Sequence, residues 1–83
     1  MAAMSDDSII EILSGLFSDI LGVEGFTPAT SMEEVQEWDS LKHIQLLMAI
    51  EDAFGIEIAF EDAIQMISGE AIIKKVRQYS HES

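Results

Sequence analysis

A carboxylate and a hydroxyl stand side by side in the segment WDSLKH, which covers residues 38–43. Asp39 and Ser40 come directly before an apolar pattern of helical spacing, so both suit a helix start, where a side-chain oxygen caps free backbone amides. A helix start also presents unpaired N–H groups and the positive end of the helix dipole, which stabilise an attached phosphate. Ser40 is therefore either an ordinary capping residue or the bearer of a phosphodiester.

A serine nucleophile is a further alternative for Ser40, because His43 follows three residues later. On a helical wheel, however, His43 falls beside the apolar side, no Gly-x-Ser-x-Gly turn surrounds Ser40, and no carboxylate is evident to orient the imidazole. We therefore predict no catalytic residue. The chain has no cysteine, so any thiol chemistry would need a cofactor that brings the thiol.

Sixteen acidic residues raise the question of a metal site. The spaced aspartates of a calcium-binding loop are absent, and Glu33, Glu34 and Glu37 are better explained as the solvated face of a loop. We predict no metal site in the chain itself.

The net charge of -12 repels nucleic-acid phosphates and anionic membrane surfaces, and it favours partners with basic patches. The length of 83 residues and a hydrophobic fraction of 48% predict one small domain, residues 1–83, with an ordered core from about 5 to 80. The apolar runs are far too short for a membrane span, and the first residues lack a secretory signal. We expect a cytoplasmic monomer that binds no nucleic acid and does not insert into membranes.

Helical periodicity predicts an all-α fold, a small bundle of three main helices plus one short helix, with a long loop between the first two. The first helix is capped by Ser5 and stops at Gly22, and the second runs from about Asp39 to Phe54 and ends at Gly55. A short helix is predicted over Glu61–Ile67, and Ser68 caps the last one. The first helix carries Ile9, Leu13, Leu16 and Ile20 at helical spacing, with Ile10, Phe17 and Leu21 beside them. The last helix carries Ile72, Ile73, Val76 and Tyr79.

Two connections complete the predicted fold. Residues 23–38 form a long loop that Phe26, Met32, Val35 and Trp38 hold against the core. The alternating residues 55–60 have no second alternating segment to pair with, so an extended linker is expected there rather than a strand.

The second helix has two faces on a helical wheel. Leu46, Leu47, Ile50 and Phe54 form the core side. Beside them runs a stripe that begins at Ser40, continues through apolar residues and ends in acids. The stripe is either an extension of the buried face or a docking surface for a partner of opposite charge. Its members after Ser40, called the α2 stripe below, are Leu41, Ile44, Met48, Glu51 and Asp52.

The run WDSLKHIQLLMAIEDAFGIEI, with the acidic turn FED and the helix AIIKKV after it, resembles an acyl carrier protein. The resemblance implies that Ser40 carries 4'-phosphopantetheine, attached from coenzyme A by a phosphopantetheinyl transferase. The arm would hold acyl groups as thioesters for enzymes of fatty-acid, polyketide or other specialised biosynthesis, so the chain would be a carrier rather than an enzyme. Asp39 would help to position magnesium in the transferase complex, and the α2 stripe would dock enzymes through their basic patches.

The chain departs from the usual carriers of fatty-acid synthesis. Glu37 stands where a glycine is common, Trp38 follows it, and Lys42 and Gln45 replace frequent acids. These changes favour a carrier dedicated to one pathway, whose cargo cavity depends on the packing of Leu46, Ile50, Met66 and Ile67. The alternative is an acidic helical adaptor that binds a basic partner without a prosthetic group.

Overall fold

The computed structural model describes residues 5–82, and the side chains within 5–80. Four helices follow one another in this range, α1 (Asp6–Leu21), α2 (Ser40–Phe54), α3 (Phe60–Ala63) and α4 (Gly69–Glu82), and the described residues contain no strand. The predicted all-α bundle of three main helices and one short helix is confirmed. No helix in the described range combines the length and the hydrophobicity that a membrane crossing requires.

Helix α1 supplies one wall of the core because its buried residues recur every fourth position. These are Ile9, Leu13, Phe17 and Leu21, whereas Leu16 and Ile20 are half-buried at the flanks of the same face. The backbone N–H of Ser8 donates to the Ser5 hydroxyl, and the chain leaves the helix at Gly22 with φ 68°. Both predicted ends of α1 are confirmed.

Helix α2 begins at Ser40, and Asp39 is its N-cap. The Asp39 carboxylate accepts from the Lys42 backbone N–H at 2.9 Å, and the helix ends at Gly55 with φ 66°. Leu46 and Ile50 face the core and are fully buried, while the other two predicted core residues of this helix, Leu47 and Phe54, are half-buried.

The long loop between α1 and α2 is tied to the start of α4. The backbone N–H groups of Gly69 and Glu70 donate to loop carbonyls of Thr30 and Pro28 at 2.6 and 2.8 Å. Met32 donates its N–H to the carbonyl of Ile67 at 2.9 Å. Residues 28–32 of the loop are therefore held to the segment that leads into α4.

Aromatic rings attach the loop to α1, as predicted from the sequence. Phe26 and Trp38 are both buried, and their ring centroids lie 4.4 and 5.2 Å from that of Phe17. The Trp38 ring meets Phe17 edge to face, a favourable geometry for two aromatic side chains.

Helix α3 is shorter than the predicted Glu61–Ile67 and begins one residue earlier, at Phe60. After Ala63 the backbone changes to bonds between residues three apart, with Met66 N–H donating to the Ala63 carbonyl. Met66 turns into the core and Ile67 pairs with the loop, so tertiary contacts stop the helix. Residues 56–59 before it are an extended linker, as expected.

Helix α4 closes the bundle and begins after Ser68, whose hydroxyl accepts from the Ala71 N–H at 3.1 Å, as predicted. The helices and the loop share one apolar core. Its buried members are Ile9, Leu13, Phe17, Leu21, Phe26, Trp38, Leu46, Ile50, Met66, Ile72, Ile73 and Val76.

Candidate functional site

Ser40 is the first residue of α2 and is exposed. Within the described part of the chain its hydroxyl makes no hydrogen bond, and neither do the backbone amides of Ser40 and Leu41. Asp39 caps the helix through Oδ1 and leaves Oδ2 without a hydrogen bond among the same residues. The helix start thus combines an accessible hydroxyl, free amides and an adjacent carboxylate, an arrangement that fits an attached phosphodiester.

The apolar residues of the α2 stripe are exposed. Leu41, Ile44 and Met48 have exposed fractions of 64%, 56% and 63%. They do not widen the buried face, so that interpretation of the wheel does not hold. Large apolar side chains left this open are the usual centre of a protein interface.

The two acids of the α2 stripe differ in their surroundings. Asp52 is exposed, whereas Glu51 is half-buried and its Oε2 accepts from the Ile58 backbone N–H at 2.8 Å. Glu51 therefore fixes the linker to α2 in addition to contributing charge at the surface.

Three of the four Lys and Arg residues lie on α4. Lys75 pairs with Asp62 at 3.0 Å and Arg77 with Asp6 at 2.8 Å, and neither ion pair of the described residues involves an acid of α2. The negative charge of α2 is thus available to an external basic partner.

The four residues predicted to shape a cargo cavity do not lie in one environment. Leu46, Ile50 and Met66 are fully buried in the core, whereas Ile67 is 46% exposed. Ile67 lines an open cleft of about 490 Å³ together with residues of the long loop. The other residues that line this cleft are Ser31, Met32, Glu33 and Ser68.

A polar clamp that sequence reasoning missed ties α3 to α4. The Tyr79 hydroxyl donates to Asp62 Oδ2 at 2.6 Å and accepts from the Ala59 N–H at 3.0 Å, while Lys75 binds the other carboxylate oxygen. The hydrogen bond from Tyr79 and then the contact with Lys75 hold the pKa of Asp62 below its usual value. No local pattern connects these residues, which come from separate segments.

The same clamp changes the acidity of the phenol. The Ala59 N–H favours the phenolate and acts to lower the pKa of Tyr79, but the Asp62 carboxylate and burial oppose it and the pKa is raised overall.

His43 takes part in a second group of contacts. Its Nδ1 accepts from the Trp38 indole N–H at 3.0 Å, and its Nε2 lies 2.9 Å from the Ala63 carbonyl oxygen. Both ring nitrogens are thus engaged by the fold, and neither is directed to Ser40 as a base would be. Among the residues whose side chains are described, no three His, Cys, Asp or Glu side chains are placed to hold a metal ion.

Comparison with known proteins agrees with this geometry. A family model described as the phosphopantetheine attachment site matches residues 11–69, which include Ser40 and the whole of α2. The acyl carrier protein of Rubrobacter xylanophilus is 33% identical over 78 residues, which cover 92% of this chain and 96% of that protein. The acyl carrier protein of Thermosynechococcus vestitus is 37% identical over 62 residues, which cover 72% and 76% of the two chains. This chain therefore belongs to the acyl carrier protein family, whose prosthetic group is 4'-phosphopantetheine.

Proposed function

We propose that the Ser40 hydroxyl oxygen is the attachment atom of 4'-phosphopantetheine, and that the chain carries acyl groups as thioesters on this arm. The observation that carries the proposal is the exposed, unbonded hydroxyl at the first position of α2, inside the segment matched by the phosphopantetheine family model. When attached, the arm supplies a thiol, the group that a chain without cysteine lacks.

The attachment chemistry asks little of the carrier itself. A bond forms between Ser40 Oγ and a phosphorus of coenzyme A, the pyrophosphate bond breaks, and the nucleotide leaves as the hydroxyl proton passes to a base of the transferase. Ser40 contributes an accessible nucleophile, and the amides of Ser40 and Leu41 can bind the new phosphodiester. Asp39 can cap α2 through Oδ1 and bind magnesium of the transferase complex through Oδ2, because the two oxygens are used separately.

The α2 stripe is the proposed contact surface for the transferase and for enzymes that load and use the acyl group. Its apolar centre is Leu41, Ile44 and Met48, and its acidic rim is Asp52 with Glu51. A partner with an apolar patch surrounded by Lys and Arg is complementary to this surface. Mutual repulsion of chains with a net charge of -12 supports a monomer, and we place the carrier in the cytoplasm.

The pathway is proposed to be specialised rather than general fatty-acid synthesis. Glu37, Trp38, Lys42 and Gln45 stand around the attachment site where common carriers have other residues. Trp38 itself is buried against Phe17, so its effect on partners is through the shape of the turn before Ser40.

A loading assay tests the proposal. The chain is incubated with coenzyme A, magnesium and a broad-specificity phosphopantetheinyl transferase, and we expect one added phosphopantetheine by intact-protein mass spectrometry. Ser40→Ala should abolish the addition. Ser8→Ala, another exposed serine near a helix start, is the matched control and should be loaded like the wild type.

The opposite result has a clear meaning. A wild-type chain that stays unmodified while a control carrier is loaded would refute the proposal and favour the acidic adaptor without a prosthetic group. Loading that persists in Ser40→Ala would place the arm on another hydroxyl.

A further inference from the structure

We propose that His43 is a positioning residue that couples α3 to the turn carrying Ser40. The coupling runs through a chain of two hydrogen bonds, from the Trp38 indole to the His43 imidazole and on to the Ala63 carbonyl. This goes beyond the carrier role and rests on the proposed function only in taking Ser40 as the site of the arm.

The chemistry of the two neighbours fixes the tautomer of His43. An indole N–H can only donate and a backbone carbonyl can only accept. Nδ1 must therefore be the unprotonated acceptor for Trp38, at 3.0 Å, and Nε2 must carry the proton that is donated to Ala63, at 2.9 Å. One neutral ring in one orientation satisfies both partners, so the two bonds depend on the same ring position.

The first of the two hydrogen bonds, between Trp38 and His43, lies next to the attachment site. Trp38 is two residues before Ser40, is only 2% exposed and is held edge to face by Phe17. The Trp38 and His43 ring centroids are 5.9 Å apart. A displacement of the turn that carries Ser40 must therefore move the indole or strain its bond to His43.

The second hydrogen bond, from His43 to Ala63, ends on α3, a helix that has no buried side chain to hold it in the core. None of the four residues of α3 is buried. The Ala63 carbonyl accepts from His43 and also from the N–H of Met66, which is fully buried. On the α4 side the clamp at Asp62 holds α3, and on the α2 side the bond from His43 is the one hydrogen bond between α2 and α3 within the described residues.

Removing the indole donor should therefore loosen α3, although no hydrogen bond of the described residues joins Trp38 to α3. Without the indole, the imidazole is free to rotate about its side-chain torsions, and its bond to Ala63 is no longer held in place. Two independent hydrogen bonds would not behave in this way.

Amide hydrogen exchange followed by NMR on the unmodified chain tests the coupling. Trp38→Phe keeps an aromatic ring against Phe17 and removes the donor. His43→Asn keeps an acceptor near the Nδ1 position but does not reach Ala63, whereas His43→Gln places an amide N–H near the Nε2 position. The reporters are the amides of Ala63 in α3 and of Ile64, the residue that ends this helix, and amides near Ile72 in α4 are the internal reference.

We expect Trp38→Phe and His43→Asn each to speed exchange of the α3 amides about fivefold relative to the reference, the loss of one ordinary hydrogen bond. His43→Gln restores the donor to Ala63 but not the acceptor for Trp38, so the coupling predicts faster exchange at α3 in this variant as well. In the wild type, the ring nitrogen spectrum at about pH 8 should show the proton of His43 on Nε2.

Unchanged α3 exchange in Trp38→Phe, with faster exchange in His43→Asn, would show two separate bonds and overturn the coupling. A proton found on Nδ1 would overturn it as well, and that measurement needs no variant. Because the chain is unmodified throughout, these outcomes do not depend on whether Ser40 takes up the arm.

Discussion

Gly69 is the position where one added methyl group should be least tolerated. It is the first residue of α4 and lies against the long loop. A Cβ atom built at this position would lie 2.4 Å from the backbone oxygen of Thr27 and 3.0 Å from Cα of Pro28. Both neighbours are backbone atoms, so Gly69→Ala can be accommodated only if the loop moves away from α4.

The cost follows from the displaced contacts. Forcing a methyl group into packed structure costs about 1–3 kcal/mol. Moving the loop also weakens the bonds that Gly69 and Glu70 donate to it, at 2.6 and 2.8 Å, each worth about 1 kcal/mol. We expect Gly69→Ala to lower the free energy of unfolding by about 2–4 kcal/mol.

Gly15 provides the matched control. It lies in the middle of α1, is exposed, and a Cβ atom added there meets nothing within 4 Å. Gly15→Ala should stabilise the protein by about 0.5–1 kcal/mol, because alanine has the higher helix propensity.

Urea and thermal unfolding followed by circular dichroism measure both variants. At this chain length 1 kcal/mol corresponds to roughly 4–8 °C in Tm, so the two glycine variants should shift Tm in opposite directions. A Gly69→Ala chain as stable as the wild type would refute the close packing of the loop on α4.

Three further predictions concern the attachment site, the clamp and the docking surface. Asp39→Asn should keep the helix cap, whereas Asp39→Ala should lower the free energy of unfolding in urea by about 1 kcal/mol. Both variants should slow loading by the transferase. A wild-type loading rate for Asp39→Asn would exclude a role for the charge of Asp39. Tyr79→Phe should raise the pKa of Asp62 in an NMR titration, because it removes the first cause of the lowered value. A carboxyl group whose pKa is lower in the folded protein than in the unfolded chain stabilises the fold at pH values above the unfolded pKa. That stabilisation is lost as the pH falls through the folded pKa. The stability deficit of Tyr79→Phe should therefore be present at neutral pH and shrink below about pH 4. A deficit that is the same at every pH would contradict this. Asp52→Lys should weaken transferase binding mainly at low salt. Glu51→Gln should weaken it in the same way and stay folded, because the Gln amide oxygen can still accept from the Ile58 N–H of the linker. A binding affinity and salt dependence equal to those of the wild type would count against the docking surface.

The ends of the long helices could be predicted because adjacent residues decide them. Ser5, Asp39 and Ser68 each accept from the amide three residues further on, and Gly22 and Gly55 take the left-handed conformation that ends a helix. The position of Ser40 at the start of α2 follows from these same local signals. Trp38 also packs the loop onto the bundle, as its size and apolar ring suggested.

Features decided by distant residues could not be predicted. Helix α3 ends at Ala63 because Met66 enters the core and Ile67 binds the loop, and the local sequence from Glu61 onward gives no sign of either contact. The partners of His43 and the clamp at Asp62 likewise join separate segments. The wheel identified the α2 stripe but left open whether it was buried, since that depends on where α3 and α4 pack.

The hydrogen bonds between the long loop and the start of α4 have a consequence for the order of events during folding. They join positions separated by nearly half the chain, and contacts of such separation close later than local helices. We therefore expect the long loop to become fixed late in folding, after the long helices have formed.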